Sequence, residues 1–270
     1  MRSITLVALL LAAVTVHAQS PTTPPAAPAM SEKNQKYLDA YLDLWEKRMA
    51  KVEGLETKVT MTELPADPKS IKSVYTGDAA ILKPNFAKLL LKDQANPTNS
   101  KKWRHHAADG QFHWEYMYGT KTARVEQLPK EGIKDSTALA ILFGMKVADA
   151  KKRFDLTIDV DDDKKHNEFY LHISILPKTK EDMQEFKKAE LVLWKNNKDP
   201  KYADVWMLPA RLWFQNTNGD MVTWDFQKMT TQSKLVKADF KAPGFPDKEW
   251  KSEWSRQPDP TLSRSVAPPK

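Results

Sequence analysis

The chain has 270 residues, no cysteine, eight glycines and a formal net charge of +7. Without cysteine there are no disulfides, no thiolate nucleophile and no cysteine-bound zinc, and no G-x-G-x-x-G, P-loop or G-x-S-x-G pattern is present. Acidic and basic residues are mixed along the chain with no long basic block, which argues against a nucleic-acid arm.

Residues 1–18 open with Arg2, continue through the apolar run ITLVALLLAAVTV and end at Ala18. A charged start, a short apolar stretch and a small final residue predict a cleaved secretory signal peptide. The run is shorter than the ~20 residues of a spanning helix. The mature chain is therefore expected in the periplasm or outside the cell. Residues 19–30, QSPTTPPAAPAM, are proline-rich and read as a linker.

In residues 31–52, Leu38, Tyr41, Leu42, Trp45, Met49 and Val52 recur at three- and four-residue steps, which predicts an amphipathic helix capped by Ser31 and ended by Gly54. The period then changes to two. Strands are expected at 55–63, 71–82, 86–92, 102–108, 111–118 and 121–128, and again at 154–160, 169–176, 189–195, 210–216, 221–229 and 235–240. A helical interruption separates the two sets, with Ser136 before ALAILFG and a further turn through Val147, Ala150, Lys151 and Phe154. Residues 31–245 thus predict one α+β domain, an antiparallel meander of eleven or twelve strands. Accumulated twist should curve such a sheet strongly into a half-barrel whose concave face the helices cover. Residues 246–270 read as a largely irregular tail, with Trp250 and Trp254 spaced for one face of a helical turn.

The densest chemistry lies in WRHHAADGQFHWEYMYGTKTARVEQL, starting at Trp103. A two-residue turn at Asp109-Gly110 predicts pairs His106–His113, His105–Trp114 and Arg104–Glu115. A turn at Gly119-Thr120 predicts Glu115–Arg124, Trp114–Val125 and His113–Glu126. One face then carries Trp103, His105, Phe112, Trp114, Tyr116 and Val125 and is expected to be dry. The other carries Arg104, His106, His113, Glu115, Arg124 and Glu126 and is expected to meet water. His106, His113 and Glu126 in a row would be the ligand types for zinc or iron, but residues of this kind on a wet face ordinarily just meet solvent, and no cofactor or metal is assigned. In PARLWFQNTNGDMVTWDF a three-residue loop, Thr217-Asn218-Gly219, predicts pairs Leu212–Trp224, Phe214–Val222 and Arg211–Asp225. The DVDDD run at 159–163 lacks the glycine and closing glutamate of an EF-hand and reads as a solvated tip.

The order of several local strings resembles the periplasmic lipoprotein carriers, the LolA-like superfamily. They are Lys83-Pro84-Asn85; Asp109-Gly110 with Trp114 and Tyr116; Leu208-Pro209, Gly219, Thr223 and Phe226; and Phe240, Pro243 and Gly244. The segments LDAYLDLWEKRM, LFGMKVADAKKRFDL and LPARLWFQNTNGDMVTWDF further resemble an uncharacterised secreted family of planctomycete bacteria. The resemblance implies a curved half-barrel with helices as a lid over an apolar cavity, and a non-catalytic carrier of lipid or lipoprotein acyl chains. The expected cavity lining is Leu89, Leu91, Trp103, Phe112, Trp114, Tyr116, Leu191, Leu193, Leu212, Phe214, Val222, Trp224 and Phe226. The expected lid is Leu139, Ile141, Leu142, Phe143 and Met145, with Lys83 at the step where the carriers hold the lid through a basic side chain bonded to backbone groups. Lysine replaces a planar, multi-donor guanidinium there with a single ammonium. The alternative is an envelope sensor or protein-interaction module, meeting an envelope protein through the tryptophan-bearing tail and the wet face.

Overall fold

The structure, a computed structural model, describes residues 30–128, 145–162, 167–196, 198–245 and 247–254. The expected signal peptide, most of the linker, the helical run after Ser136 with the lid residues Leu139, Ile141, Leu142 and Phe143, Asp163 of the acidic run, and residues 255–270 of the tail lie outside them. Helix α1 (Glu32–Lys51) forms as its periodicity requires. Ser31 Oγ accepts the Asn34 N–H at 3.1 Å, and Leu38, Leu42, Trp45 and Met49 make the buried stripe. No helix among the described residues is long and apolar enough to cross a membrane.

Eleven of the twelve expected strands are present: β1 (Gly54–Leu64), β2 (Ser73–Leu82), β3 (Phe86–Asp93), β4 (Arg104–Asp109), β5 (Phe112–Met117), β6 (Thr122–Gln127), β7 (Phe154–Thr157), β8 (Tyr170–Pro177), β9 (Phe186–Trp194), β10 (Pro209–Asn216) and β11 (Met221–Thr230). Helix α2 (Val147–Arg153) precedes β7, and α3 (Lys180–Glu185) precedes β9. The sequence carries a signal for α3, since Thr179 caps the Asp182 N–H in a Thr-x-x-Asp start. The strand expected at 235–240 is instead a 3₁₀ turn, Lys237–Phe240. The Asp239 carboxylate accepts the Val236 N–H at 2.8 Å and tightens the chain, and Phe240 then packs 5.8 Å from the Phe86 ring. The twelfth strand is β12 (Lys251–Trp254), where the Trp250 and Trp254 spacing predicts a helical turn. It runs parallel to β6, with Lys251 opposite Thr122.

The strands form one open, curved sheet in the order β12-β6-β5-β4-β3-β2-β1-β11-β10-β9-β8-β7. Two meanders, β1 to β6 and β7 to β11, meet where β11 pairs with β1. The hairpin of β10 and β11 has the expected register, Leu212 with Trp224 and Phe214 with Val222, and Gly219 takes the left-handed conformation (φ 96°) that its loop requires. The β5–β6 register is also as expected, with Glu115 opposite Arg124. The β4–β5 turn moves by one residue. Asp109 accepts the N–H groups of Gln111 and Phe112 at 3.0 and 2.8 Å, so it flanks the loop, and Gly110 takes φ 95° inside it. His106 therefore faces Glu115, and His105 faces Tyr116. The pairing slips by two residues on one strand, so every side chain keeps its face.

Candidate ligand-binding site

The two faces of the sheet follow from the register. Met61 faces Tyr75 and Trp224, Leu89 faces Ala79 and His106, Leu91 faces Arg104, and Leu212 faces Leu191. These residues share one face, the inner face, on which α1 packs. Of the expected lining, Leu89, Leu91, Leu191, Leu193, Leu212, Phe214, Val222 and Trp224 belong to this single buried cluster with α1, and Phe226 packs against it half-buried. Met145, the one described residue of the expected lid other than Lys83, is buried in the same cluster.

Trp103, Phe112, Trp114 and Tyr116 do not join them. Phe112, Trp114 and Tyr116 lie on the opposite, outer face, and the chain from Phe240 onward covers them. Tyr116 Oη donates to Pro243 O at 2.6 Å, Trp254 meets Phe112 edge-on at 5.7 Å, and Trp250 packs on Tyr116 and Tyr118. Trp103 stands just before β4, its indole N–H donating to Pro97 O at 3.0 Å and its ring against Tyr118. The expectation of one continuous apolar face is thus corrected, because a second layer buries the outer side of β4 to β6. It also takes up the tryptophans that the interaction-module reading assigned to a partner, since Trp250 is only 7% exposed.

The supposed wet face is corrected in the same step. Arg104, His106, His113, Glu115, Arg124 and Glu126 continue the inner face beyond Leu89 and Leu91, and both imidazoles are buried, at 2 and 3% exposure. The histidines and Glu115 are buried, while the Arg104 and Arg124 side chains keep 30 and 41% of their surface exposed, and the polar groups pair with one another. His106 Nδ1 lies 3.4 Å from His113 Nε2 with the rings stacked, Arg124 donates to Glu115 at 2.9 Å, and Arg104 donates to Glu63 at 3.3 Å while lying over the Tyr75 ring. Burial pushes the His113 pKa down to about 3 and holds His106 well below the usual range, so both are neutral hydrogen-bonding groups at pH 7. Burial also raises the carboxyls of Glu63 and Glu115, against the pull of their arginines. Among the described residues, no three His, Cys, Asp or Glu side chains converge as metal ligands, and the register slip breaks the row of His106, His113 and Glu126.

The inner face is therefore amphipathic across its width, apolar from β7 through β1 to β3 and polar from β4 to β6. Its apolar half is closed. A void of about 10 Å³ remains between Leu42 and Trp45 of α1, Met145, Ala150 of α2, and Phe154, Ile173 and Leu191 of the sheet. That is about the room of one water, and the lining is apolar. Among the described residues, the expected lining packs as a core around this void.

Two polar contacts fix the C-terminal half of α1. Lys83 Nζ donates to Met49 O at 2.5 Å, and Arg48 donates to Asp204 O at 2.5 Å and to Thr231 Oγ1 at 3.5 Å. Asp204 is in turn fixed by the Thr231 N–H and hydroxyl, at 3.1 and 2.6 Å. The final carbonyls of a helix lack partners within it, and a cation there also meets the negative end of the helix dipole. Desolvation lowers the Lys83 pKa, yet the single-point bond to Met49 O is made. Lys83→Met keeps the length and removes the charge. It is expected to lower stability by about 1–2 kcal/mol and to speed amide exchange in the last turn of α1, read by hydrogen–deuterium exchange. Unchanged exchange there would show that Lys83 does not hold the helix.

Sequence reasoning missed Arg48, Asp204 and Thr231. Their spacing carries no periodic signal, and only the fold brings residue 48 to residues 204 and 231.

No family model matches this chain, and no curated protein matches it. Among solved structures it is similar to an uncharacterized conserved protein from Thermus thermophilus at 12% identity, over 81% of this chain and 99% of that one, with a TM-score of 0.45. It is also similar to a LolA superfamily protein from Nitrosomonas europaea at 12% identity, over 76 and 97%, with a TM-score of 0.41. LprF from Mycobacterium bovis matches at 9% identity, over 75 and 97%, with a TM-score of 0.38. Scores at this level carry no function from those proteins to this chain.

Proposed function

We propose that the chain is an exported, non-catalytic carrier or binder of an amphiphile whose acyl chains lie on the apolar half of the inner face. The observation that carries this reading is a broad apolar face on which, among the described residues, an amphipathic helix packs that polar contacts clasp at its end. The sequence resemblance to lipoprotein carriers points the same way. The adjoining polar half, with two buried neutral histidines and the part-exposed Arg104 and Arg124, is where the head of the ligand would lie.

Magnitudes constrain the ligand. Entry requires the four buried side chains of α1 to leave the face. At ~1.5–3 kcal/mol each, their exposure opposes binding by roughly 6–12 kcal/mol. A chain of about 14 methylenes returns on the order of 11 kcal/mol at ~0.8 kcal/mol per methylene, and one of about six returns less than half of that. Long or paired chains should therefore bind, and short ones should not. Mass spectrometry of an organic extract of the purified mature protein is expected to find long-chain lipid. Calorimetric titration should show a sixteen-carbon fatty acid binding at least 100-fold tighter than an eight-carbon one. A lipid-free protein that binds neither, or binds both equally, would sink the reading.

A further inference from the structure

A much larger hollow lies away from the inner face. It is an open groove of about 620 Å³ on the outer side of β8 to β11, far along the sheet from the strands that the C-terminal segment covers. Its volume is in the range of small-ligand sites. One wall is a ledge of aromatic rings. Trp194 stacks on Tyr202 at 5.3 Å and 19°, and Tyr170 leans on Trp194 at 4.9 Å. All three are half-buried, and all line the groove.

The floor is mixed, with Val192 lying between His172 and Arg211. Arg211 Nε donates to Asp225 Oδ1 at 2.6 Å, His172 Nδ1 pairs with Glu190 Oε1 at 3.0 Å, and Gln227 stands exposed beside them. Two β-bulges give the groove its shape. β10 gains a residue between Pro209 and Arg211 against β9, and β11 gains one between Gln227 and Thr230 against β1. The extra residues are Ala210 and, at a left-handed φ of 48°, Lys228, and both line the groove. Bulges bend strands and re-aim side chains, and strained non-glycine backbone is kept where the surroundings enforce it.

The combination selects a ligand class. An acyl chain would desolvate Arg211 and Asp225 without offering them hydrogen bonds. A polyanion would meet Asp225 and Glu190. A pyranose suits both walls: its C–H face packs on an aromatic ring, and its hydroxyls give and take hydrogen bonds with guanidinium, carboxylate and amide groups. Arg211 has donors beyond the one directed at Asp225. We propose that this groove is a saccharide-binding site, with Trp194 and Tyr202 as the stacking platform and Arg211, Asp225 and Gln227 as the polar contacts. The site is separate from the lipid-binding reading and does not depend on it.

Saturation-transfer NMR on the full mature protein tests the assignment, with three neutral soluble probes: tetra-N-acetylchitotetraose, maltotetraose and cellotetraose. At least one probe is expected to receive saturation at the C–H protons of one ring face. Its affinity should fall at least 10-fold in Trp194→Ala and at least 5-fold in Arg211→Gln, an exposed substitution that leaves the wall intact. Trp103→Ala, at the other end of the sheet, should bind as the wild type does. No transfer to any probe, or transfer that neither groove variant weakens, would overturn the proposal. Lipid extraction from the same samples reports on the inner face separately.

Discussion

Asp182→Ala is expected to lower the free energy of unfolding by about 3–5 kcal/mol, a large part of the roughly 5–15 kcal/mol by which a domain is usually stable. Asp182 is 1% exposed and lies in the first turn of α3. Its Oδ2 accepts from Arg153 Nε at 3.1 Å and from the Thr179 hydroxyl at 2.7 Å, while the second guanidinium donor of Arg153 reaches Oδ1. Arg153 ends α2, so this carboxylate joins the two short helices and is satisfied from both sides. Truncation leaves a partly buried guanidinium without its counter-charge and removes a favourable negative group from a helix start. Urea titration should show a lower midpoint with an unchanged slope. Asp182→Asn, which keeps the shape, should recover part of the loss. A change below about 1 kcal/mol for the alanine variant would mean that water replaces the pair at little expense.

Acid should weaken the fold well above the usual carboxylate range. The His105 pKa is pushed down to about 4 and the His113 pKa to about 3, in both cases by burial, and His106 is lowered first by burial and then by the neighbouring histidines and Arg104. Each folded histidine refuses a proton that its unfolded counterpart takes up below about pH 6.5. Stability is therefore fully present above about pH 6.5 and falls as pH drops towards 4 and 3. The slope is about 1.4 kcal/mol per pH unit per group, so His105 and His113 each remove roughly 2 kcal/mol between about pH 6.5 and 5. Glu63 and Glu115 act in the opposite direction just above the ordinary glutamate range, because burial makes them take up protons first in the folded state. Their number does not offset three histidines. Urea midpoints measured from about pH 7.5 to 5 should fall steadily in the wild type and less steeply in His106→Leu/His113→Leu. A midpoint flat across that interval would contradict the burial of these rings.

Much of the fold is readable in the residues. The stripe of Leu38, Leu42, Trp45 and Met49 fixes α1 by its helical period, and the alternation of apolar residues marks eleven strands. Local turn chemistry sets the register at Gly219, whereas the β5–β6 pairing is the expected one although the left-handed residue of its turn is Lys121 and not Gly119. It fails by one residue at Asp109, where a side chain that bonds two residues ahead belongs outside the loop and not within it.

The candidate site was legible in part. Leu212, Phe214 and Trp224 pack on the side of the sheet that α1 covers and Lys83 bonds the end of that helix, while Phe112, Trp114 and Tyr116 stand on the other side. The reason is that alternation divides a strand into two faces but does not say which face lies inside, and matching apolar face to apolar face assumes only one covered side. On β4 to β6 both sides hold buried side chains, the outer one under the chain that follows Phe240, so the histidines became the buried continuation of the core. Strand period and turn register were set by neighbours in sequence. The identity of the inner face, the clasp of Arg48 on Asp204 and Thr231, and the outer groove were decided by contacts between segments far apart in the chain, which no local pattern encodes.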